Sequence, residues 1–201
     1  MAILADALAF TAFLHQFREV ERMLYVNGTK RRENDTEHSY MLCMLAWHLA
    51  SKHRTDLDIS KVLQYALVHD IVEIYSGDTD AFGDESAKAT KAEREHAALL
   101  RIESEYGADT PWVAAIRAYE SRADAESKFV YALDKIQPDL LIYLDQGRSW
   151  RDDDGDLGHS ISAPDLKQYL ETKMAVDPTL YEMQKEFFAI IDPKLFASGT
   201  H

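Results

Sequence analysis

The sequence predicts an all-α, single-domain helical bundle, and three observations carry that reading. Apolar residues recur at three- and four-residue steps along most of the chain. No run of β-branched residues alternates as a half-buried strand would. The length of 201 residues suits one compact domain, and 46% hydrophobic residues suffice for a core. No repeat of 20–50 residues and no linker divides the chain.

Leu4, Leu8, Phe10, Phe13, Leu14 and Phe17 make a first amphipathic helix. VNGTKRRENDT follows as an expected loop, with Asn34, Asp35 or Thr36 placed to cap the next helix. Tyr40, Met41, Met44, Leu45 and Leu49 mark that second helix. Ile59, Val62, Leu63, Ala66 and Leu67 mark a third, expected to run on to Ser76-Gly77, where glycine is a natural terminator. DTDAFGDESA is a turn-rich acidic loop before a long charged helix from Ala87 to Tyr106. Thr110-Pro111 restarts a helix, because proline is accepted in a first turn. Another helix runs from Ala123 to about Gln146, with a kink expected at Pro138. GRSWRDDDGDLGHSISAP reads as a surface loop, and two short helices follow within residues 165–195.

Acidic residues exceed basic ones, 35 against 22, for a formal charge of −13. Such a chain lacks the basic footprint that coats a nucleic-acid polymer. The single Cys43 excludes an internal disulfide and a cysteine-rich zinc site, and it fits a reducing compartment. The apolar N-terminus has no basic n-region and is broken by Asp6, and no run approaches the length of a membrane helix. We therefore expect a soluble, cytoplasmic protein with no membrane partner.

The informative anomaly is polarity on apolar stripes. The stripe Ile59, Val62, Leu63, Ala66 continues into His69, Asp70 and Glu73, whose spacings of three and four let the side chains meet. His38 precedes Met41 and Leu42 on the second helix, and Asp134 lies four after Val130 on a later one. Ionisable groups facing a core are costly unless paired or metal-bound. A lone histidine on an apolar face is more often a hydrogen-bonded core residue, but here three helices each carry such a position. His38, His69, Asp70 and Asp134 thus form a plausible four-ligand site for one divalent transition metal. Mixed imidazole and carboxylate ligands suit Mn, Co, Ni, Fe or Zn better than Ca.

TEHSYM (36–41), ALVHDIVEIYSGD (66–78) and YALDKI (131–136) resemble the H…HD…D pattern of the HD-domain phosphohydrolase superfamily. The HDxxE…GD extension is similar to the branch that contains bacterial 5′-deoxynucleotidases. The resemblance covers about residues 22–144, some three-fifths of the chain. It implies an HD-type bundle, metal ligation by His38, His69, Asp70 and Asp134, and catalytic roles for Glu73 and Asp78. It also implies a substrate-contacting arginine, matched by Arg22 with Arg18 as second choice, and a neighbouring aromatic, matched by Tyr25. Lys30, Arg31 and Arg32 could attract an anion, although a solvated loop is the simpler reading of them. The implied substrate is a small nucleotide, and the implied assembly is a homodimer. The implied reaction is hydrolysis of deoxyribonucleoside 5′-monophosphates. The alternatives are a triphosphohydrolase of the same superfamily acting on (d)NTPs or a nucleotide analogue, and a non-catalytic nucleotide-binding regulatory module.

Several other features carry less. His96 could serve a second metal but reads as a surface residue. The aspartates at 152–156 fail the calcium-loop pattern, because Trp150 and Ile161 would hold its first and last positions. Lys91 and Glu95 read as a surface i,i+4 pair. Glu126 and Lys128 could reach the site or pair structurally, and Trp112 and Tyr119 read as core.

Overall fold

The computed structural model describes residues 2–196 and is a helical bundle. Its helices are α1 (Ile3–Phe17), α2 (Asp35–His53), α3 (Ile59–Val68), α4 (Glu73–Ser76) and α5 (Glu85–Tyr106). Then come α6 (Pro111–Glu120), α7 (Ala125–Leu144), α8 (Arg148–Arg151), α9 (Ala163–Met174) and α10 (Pro178–Ile190), with a 3₁₀ turn at Pro193–Leu195. Side-chain caps start most of them: Asn34, Asp58, Asp84, Asp124, Ser162 and Asp177 each accept a first-turn N–H. Pro111 and Pro178 sit in first turns, where no N–H is needed. None of the described helices is long and apolar enough to cross a membrane.

Two apolar clusters organise the bundle. The larger is built from α2, α3, α7, α9 and α10 around Leu42, Ala46, Phe129, Leu133, Trp150 and Leu170. The smaller gathers Phe13 of α1, Ile102 of α5 and Ile116 of α6 with Val68, Ile71 and Val72. The chain passes from the first cluster to the second between Ala66 and Val68, just before His69-Asp70.

The structure departs from the sequence reading in four places. The expected loop after α1 contains an antiparallel hairpin, β1 (Glu21–Tyr25) and β2 (Arg32–Asn34), paired Glu21 to Asn34 and Tyr25 to Arg32 with a register irregularity between. The strands are too short and polar to show alternation; Asn27-Gly28 in the turn was the one local hint. The third helix does not run to Ser76. It ends at Val68, and i→i+3 bonds from Ile71 to Val68 and from Glu73 to Asp70 tighten the chain before α4.

The polar stretch after α7 is not a surface loop. Gly147 turns there with φ 75°, and a Cβ would collide with the Leu195 carbonyl oxygen. Trp150 of α8 is fully buried, stacked on Phe196 at 4.5 Å, and Leu157 is buried too. The carboxylate of Asp152 folds the aspartate run by accepting the N–H groups of Leu157 and Gly158. As expected, α7 carries Pro138 within it, and the missing N–H frees the Asp134 carbonyl of its helical bond. Finally, α1 buries only Phe13 and Phe17, and α2 buries Leu42, Cys43, Ala46 and Ala50 while Tyr40, Met41 and Met44 face solvent.

Candidate metal centre

Each ligand position is set by local structure. A capping box locks the start of α2: Glu37 N–H donates to Asn34 Oδ1 at 3.0 Å, and Asn34 N–H donates to Glu37 Oε2 at 3.2 Å. That fixes His38 in the first turn, fully buried. His69 and Asp70 sit just past the end of α3, where the chain tightens into i→i+3 bonds, and their donor atoms converge on one centre. Asp134 is buried in the middle of α7.

Their donor atoms converge. His38 Nε2 lies 3.1 Å from His69 Nε2, 3.0 Å from Asp134 Oδ1 and 3.6 Å from Asp70 Oδ2. His69 Nε2 lies 2.9 Å from Asp70 Oδ2 and 3.6 Å from Asp134 Oδ1. The far side of each ring is fixed. His38 Nδ1 faces Gln137 Oε1 at 2.9 Å, and His69 Nδ1 faces the Ala66 carbonyl at 3.0 Å. Both Nδ1 atoms must therefore donate, which leaves both Nε2 lone pairs facing each other. Two acceptors at that distance repel unless a cation lies between them. The residues fit a divalent ion, whose bonds to imidazole nitrogen and carboxylate oxygen are about 2.0–2.2 Å.

With no ion bound, the neighbouring carboxylates favour a proton on His69. Burial disfavours its charge, but Asp70 and Asp134 outweigh burial and hold it up to about 10. Burial and Arg22 push His38 down to about 4.

Around the ligands lies a shell of carboxyls and cations. Arg22, placed by β1, sets Nη1 3.0 Å from Asp70 Oδ2 and 3.3 Å from Asp35 Oδ1, and Nε 3.6 Å from Glu33 Oε2. Its Nη2 has no partner among the described residues. Burial opposes the charge on Arg22, and Asp70, Asp78, Asp134 and Asp35 overcome it. Burial raises Glu33 to about 7, and burial with the Asp70 charge raises Asp35 to about 7. Glu73 is buried at the start of α4, and burial, then Asp70, Asp78 and Asp35, hold its carboxyl well above the usual range. Lys91 Nζ reaches in from α5 to 3.7 Å from Glu73 Oε1, and Lys135 Nζ lies 2.6 Å from Asp134 Oδ2.

An HD domain model matches residues 14–173, most of the chain. The chain belongs to the HD domain family.

Solved structures agree with that assignment. A predicted metal-dependent phosphohydrolase from Magnetospirillum magnetotacticum is 27% identical, with 97% of this chain and 96% of that one covered and a TM-score of 0.77. A conserved hypothetical protein from Pyrococcus furiosus is 21% identical over 91% of this chain and 99% of that one, with a TM-score of 0.62. A Pyrococcus horikoshii protein is 18% identical over 90% and 95%, with a TM-score of 0.58. These last two share the fold. No curated protein matches the sequence.

The centre of this HD domain opens into a cleft with about 820 Å³ of empty space, mouth included. At one end stand Arg22, Asp70, Glu73, Asp78, Lys91, Asp134 and Lys135. Asp78 follows Gly77, whose φ of 71° ends α4, and Arg94 holds that turn by donating to the Ser76 carbonyl and to Thr79 Oγ1. Burial raises Asp78, Arg22 lowers it and Asp70 raises it further, for a net rise.

Of the other substrate-contacting expectations, Arg22 lines the cleft and three residues do not. Arg18 is exposed at the end of α1, Lys30 pairs with Asp154 at 2.9 Å, and Arg31 pairs with Glu37 at 2.8 Å. Arg32, the third of that basic triplet, sets Nη1 3.4 Å from Met23 Sδ and is also outside the cleft lining. Tyr25 is buried under Arg148 and outside the cleft lining. His96 is exposed, and Glu126 accepts the Asp58 N–H and sits 3.6 Å from Lys61, a structural role. Lys91 is half-buried and lines the cleft, so it is more than the expected surface partner of Glu95. Tyr119 is buried edge-on to His69, and Trp112 joins Phe10, Phe13 and Tyr106 in the smaller cluster.

Sequence reasoning missed Glu33, Asp35, Gln137, Lys135 and Asp139 as cleft or supporting residues. Gln137 had a signal: it lies three after Asp134 on the same helix face.

Proposed function

We propose that this HD domain is a metal-dependent phosphohydrolase acting on deoxyribonucleoside 5′-monophosphates, a 5′-deoxynucleotidase. One observation carries the reading: two opposed imidazole acceptors and two carboxylates close one end of a cleft beside Glu73, Asp78 and three cations. The similar Magnetospirillum protein, described as a predicted metal-dependent phosphohydrolase, supports it.

A divalent ion held by His38, His69, Asp70 and Asp134 would supply Lewis acidity toward a phosphate oxygen and toward water. Arg22 keeps Nη1 on Asp70 and Asp35 and offers Nη2 to the phosphate. Lys91 and Lys135 add positive charge where the phosphate dianion would sit. Glu73, buried among other carboxylates, has the raised basicity to orient and deprotonate the attacking water. Asp78, which lines the same cleft and whose carboxyl burial also raises, would pass a proton to the leaving 5′-oxygen.

The test is phosphate release from dNMPs, NMPs and dNTPs by metal-stripped protein, with Mn, Co, Ni, Fe, Zn and Mg added back singly. Phosphate from dNMPs, lost in His69→Ala, is the expected result. Triphosphate released from dNTPs without dNMP turnover would replace the monophosphatase reading with a triphosphohydrolase one. Silence across the panel with metal bound would overturn both.

A further inference from the structure

The cleft also has an apolar wall, made of Leu24, Phe82, Pro138, Ile142, Ile161 and Tyr169. Phe82 and Tyr169 meet with ring centroids 5.1 Å apart and planes tilted 57°. Among the polar groups beside this wall, His159 and Asp80 pair with each other at 3.3 Å, while Asp139 and Ser149 are buried.

Asp139 lies five residues beyond Asp134 on α7, so one helix brings both residues to the cleft lining. Its Oδ1 accepts the indole N–H of Trp150 at 2.9 Å. Its other oxygen has no partner among the described residues. The Ser149 hydroxyl oxygen accepts the Tyr25 N–H at 3.0 Å, and its own proton has no acceptor among them. An open carboxyl oxygen and an undirected hydroxyl proton thus line the same apolar pocket. Satisfying Trp150 needs only one acceptor, and an amide would do it without the cost of a buried acid. Burial pushes the Asp139 carboxyl up to about 7, so its buried position strains the ionised form. A buried polar group left open toward a cleft is what a ligand hydrogen bond would complete.

We propose that Asp139, assisted by Ser149, is a specificity-determining residue that reads the group esterified to the phosphate. Asp139 accepts an N–H from a planar, hydrogen-bonding ring edge, and the Ser149 hydroxyl donates to an acceptor beside it. Phe82 and Tyr169 supply the aromatic face against which such a ring packs. The ligand class is therefore a phosphate ester whose leaving group carries a nucleobase-like edge, in preference to a plain aryl or alkyl ester. This inference rests on the phosphohydrolase reading above and goes past it, by assigning the part of the cleft that takes the leaving group.

The test compares wild type with Asp139→Asn and Ser149→Ala, all metal-loaded, on the four dNMPs and on phenyl phosphate. Asparagine keeps an acceptor for Trp150 and turns the open oxygen into a donor. The expected result is at least a tenfold rise in KM for one or more dNMPs in Asp139→Asn, with kcat held within threefold. KM for phenyl phosphate should stay within twofold, and Ser149→Ala should shift the same dNMPs in the same direction by less. An equal loss on phenyl phosphate and dNMPs would show a packing role and overturn the proposal, as would no change on any dNMP. If the wild type hydrolyses no ester, the phosphohydrolase reading fails by itself. Calorimetric binding of unphosphorylated deoxynucleosides then decides for Asp139: binding weakened at least tenfold in Asp139→Asn sustains its role, and equal binding or none removes it.

Discussion

Gln137→Leu separates the metal reading from a merely hydrogen-bonded histidine cluster. Gln137 is buried, and its Oε1 lies 2.9 Å from His38 Nδ1, the contact that points the opposite nitrogen at His69 and Asp134. Leucine keeps the volume and removes the acceptor. Losing such an outer partner of a ligating histidine costs about 10–100-fold in metal affinity, or about 1.4–2.7 kcal/mol. The apo protein should lose about 1–3 kcal/mol as well, because the His38 Nδ1–H is left buried and unpaired. The assay is chelator competition for Mn or Zn, alongside thermal melts with and without metal. We expect the variant to bind at least tenfold more weakly and to gain less Tm from saturating metal than wild type at the same concentration. Gln137→Glu, which restores an acceptor and raises imidazole basicity, should recover affinity. Unchanged affinity in Gln137→Leu together with an unchanged apo Tm would refute the reasoning, since His38 would then not depend on that contact.

Three further outcomes follow from the same geometry. Glu73→Gln should lower kcat on a hydrolysed ester by about 10²–10⁴-fold, the range for a lost general base, while bound metal measured by mass spectrometry stays at the wild-type ratio. Trp150→Ala should destabilise by about 3–5 kcal/mol in urea melts, because a fully buried aromatic leaves a cavity against Phe187 and Phe196. Asp139 gives a pH signature: burial raises its native value to about 7 from the usual 3.8, so between those values the native state holds a proton that the unfolded chain has lost. Its contribution therefore favours folding at low pH and declines as pH rises toward 7; urea melts from pH 4 to 8 should show a shallower decline in Asp139→Asn, and an unchanged slope would contradict the assignment.

The metal end of the site was legible because it broke a rule. His69 and Asp70 interrupt an apolar stripe, and only a cluster of such interruptions on separate helices makes chemical sense. The structure brings those residues together with His38 and Asp134. Arg22 could not be placed by periodicity, because it rides on a hairpin held by few backbone bonds and by Tyr25 N–H to Ser149 Oγ. The segment 146–164 misled through composition: its aspartates, serines and glycines signal a loop, while Trp150 and Leu157 do the packing. On α1 and α2 the periodicity was real but did not say which apolar face turns inward. Met41 and Met44 face out while the smaller Cys43 and Ala46 face in, since α2 lies close against α3 and α7.

The four candidate ligands come from far-apart points of the chain: His38 and His69 are 31 residues apart, and His38 and Asp134 are 96 apart. One ion shared among them would act as a cross-link closing two nested loops. Denying an unfolded chain a loop of about 100 residues is worth about 4.7 kcal/mol by chain entropy, when the link is permanent. During synthesis from the N-terminus, the first 133 residues present two imidazoles and Asp70 with no fourth arm. Only when α7 has been made and has docked can the loops close. Capture of a metal by these four residues would thus coincide with the final docking of α7, and a chain interrupted before residue 134 would hold such an ion loosely or not at all.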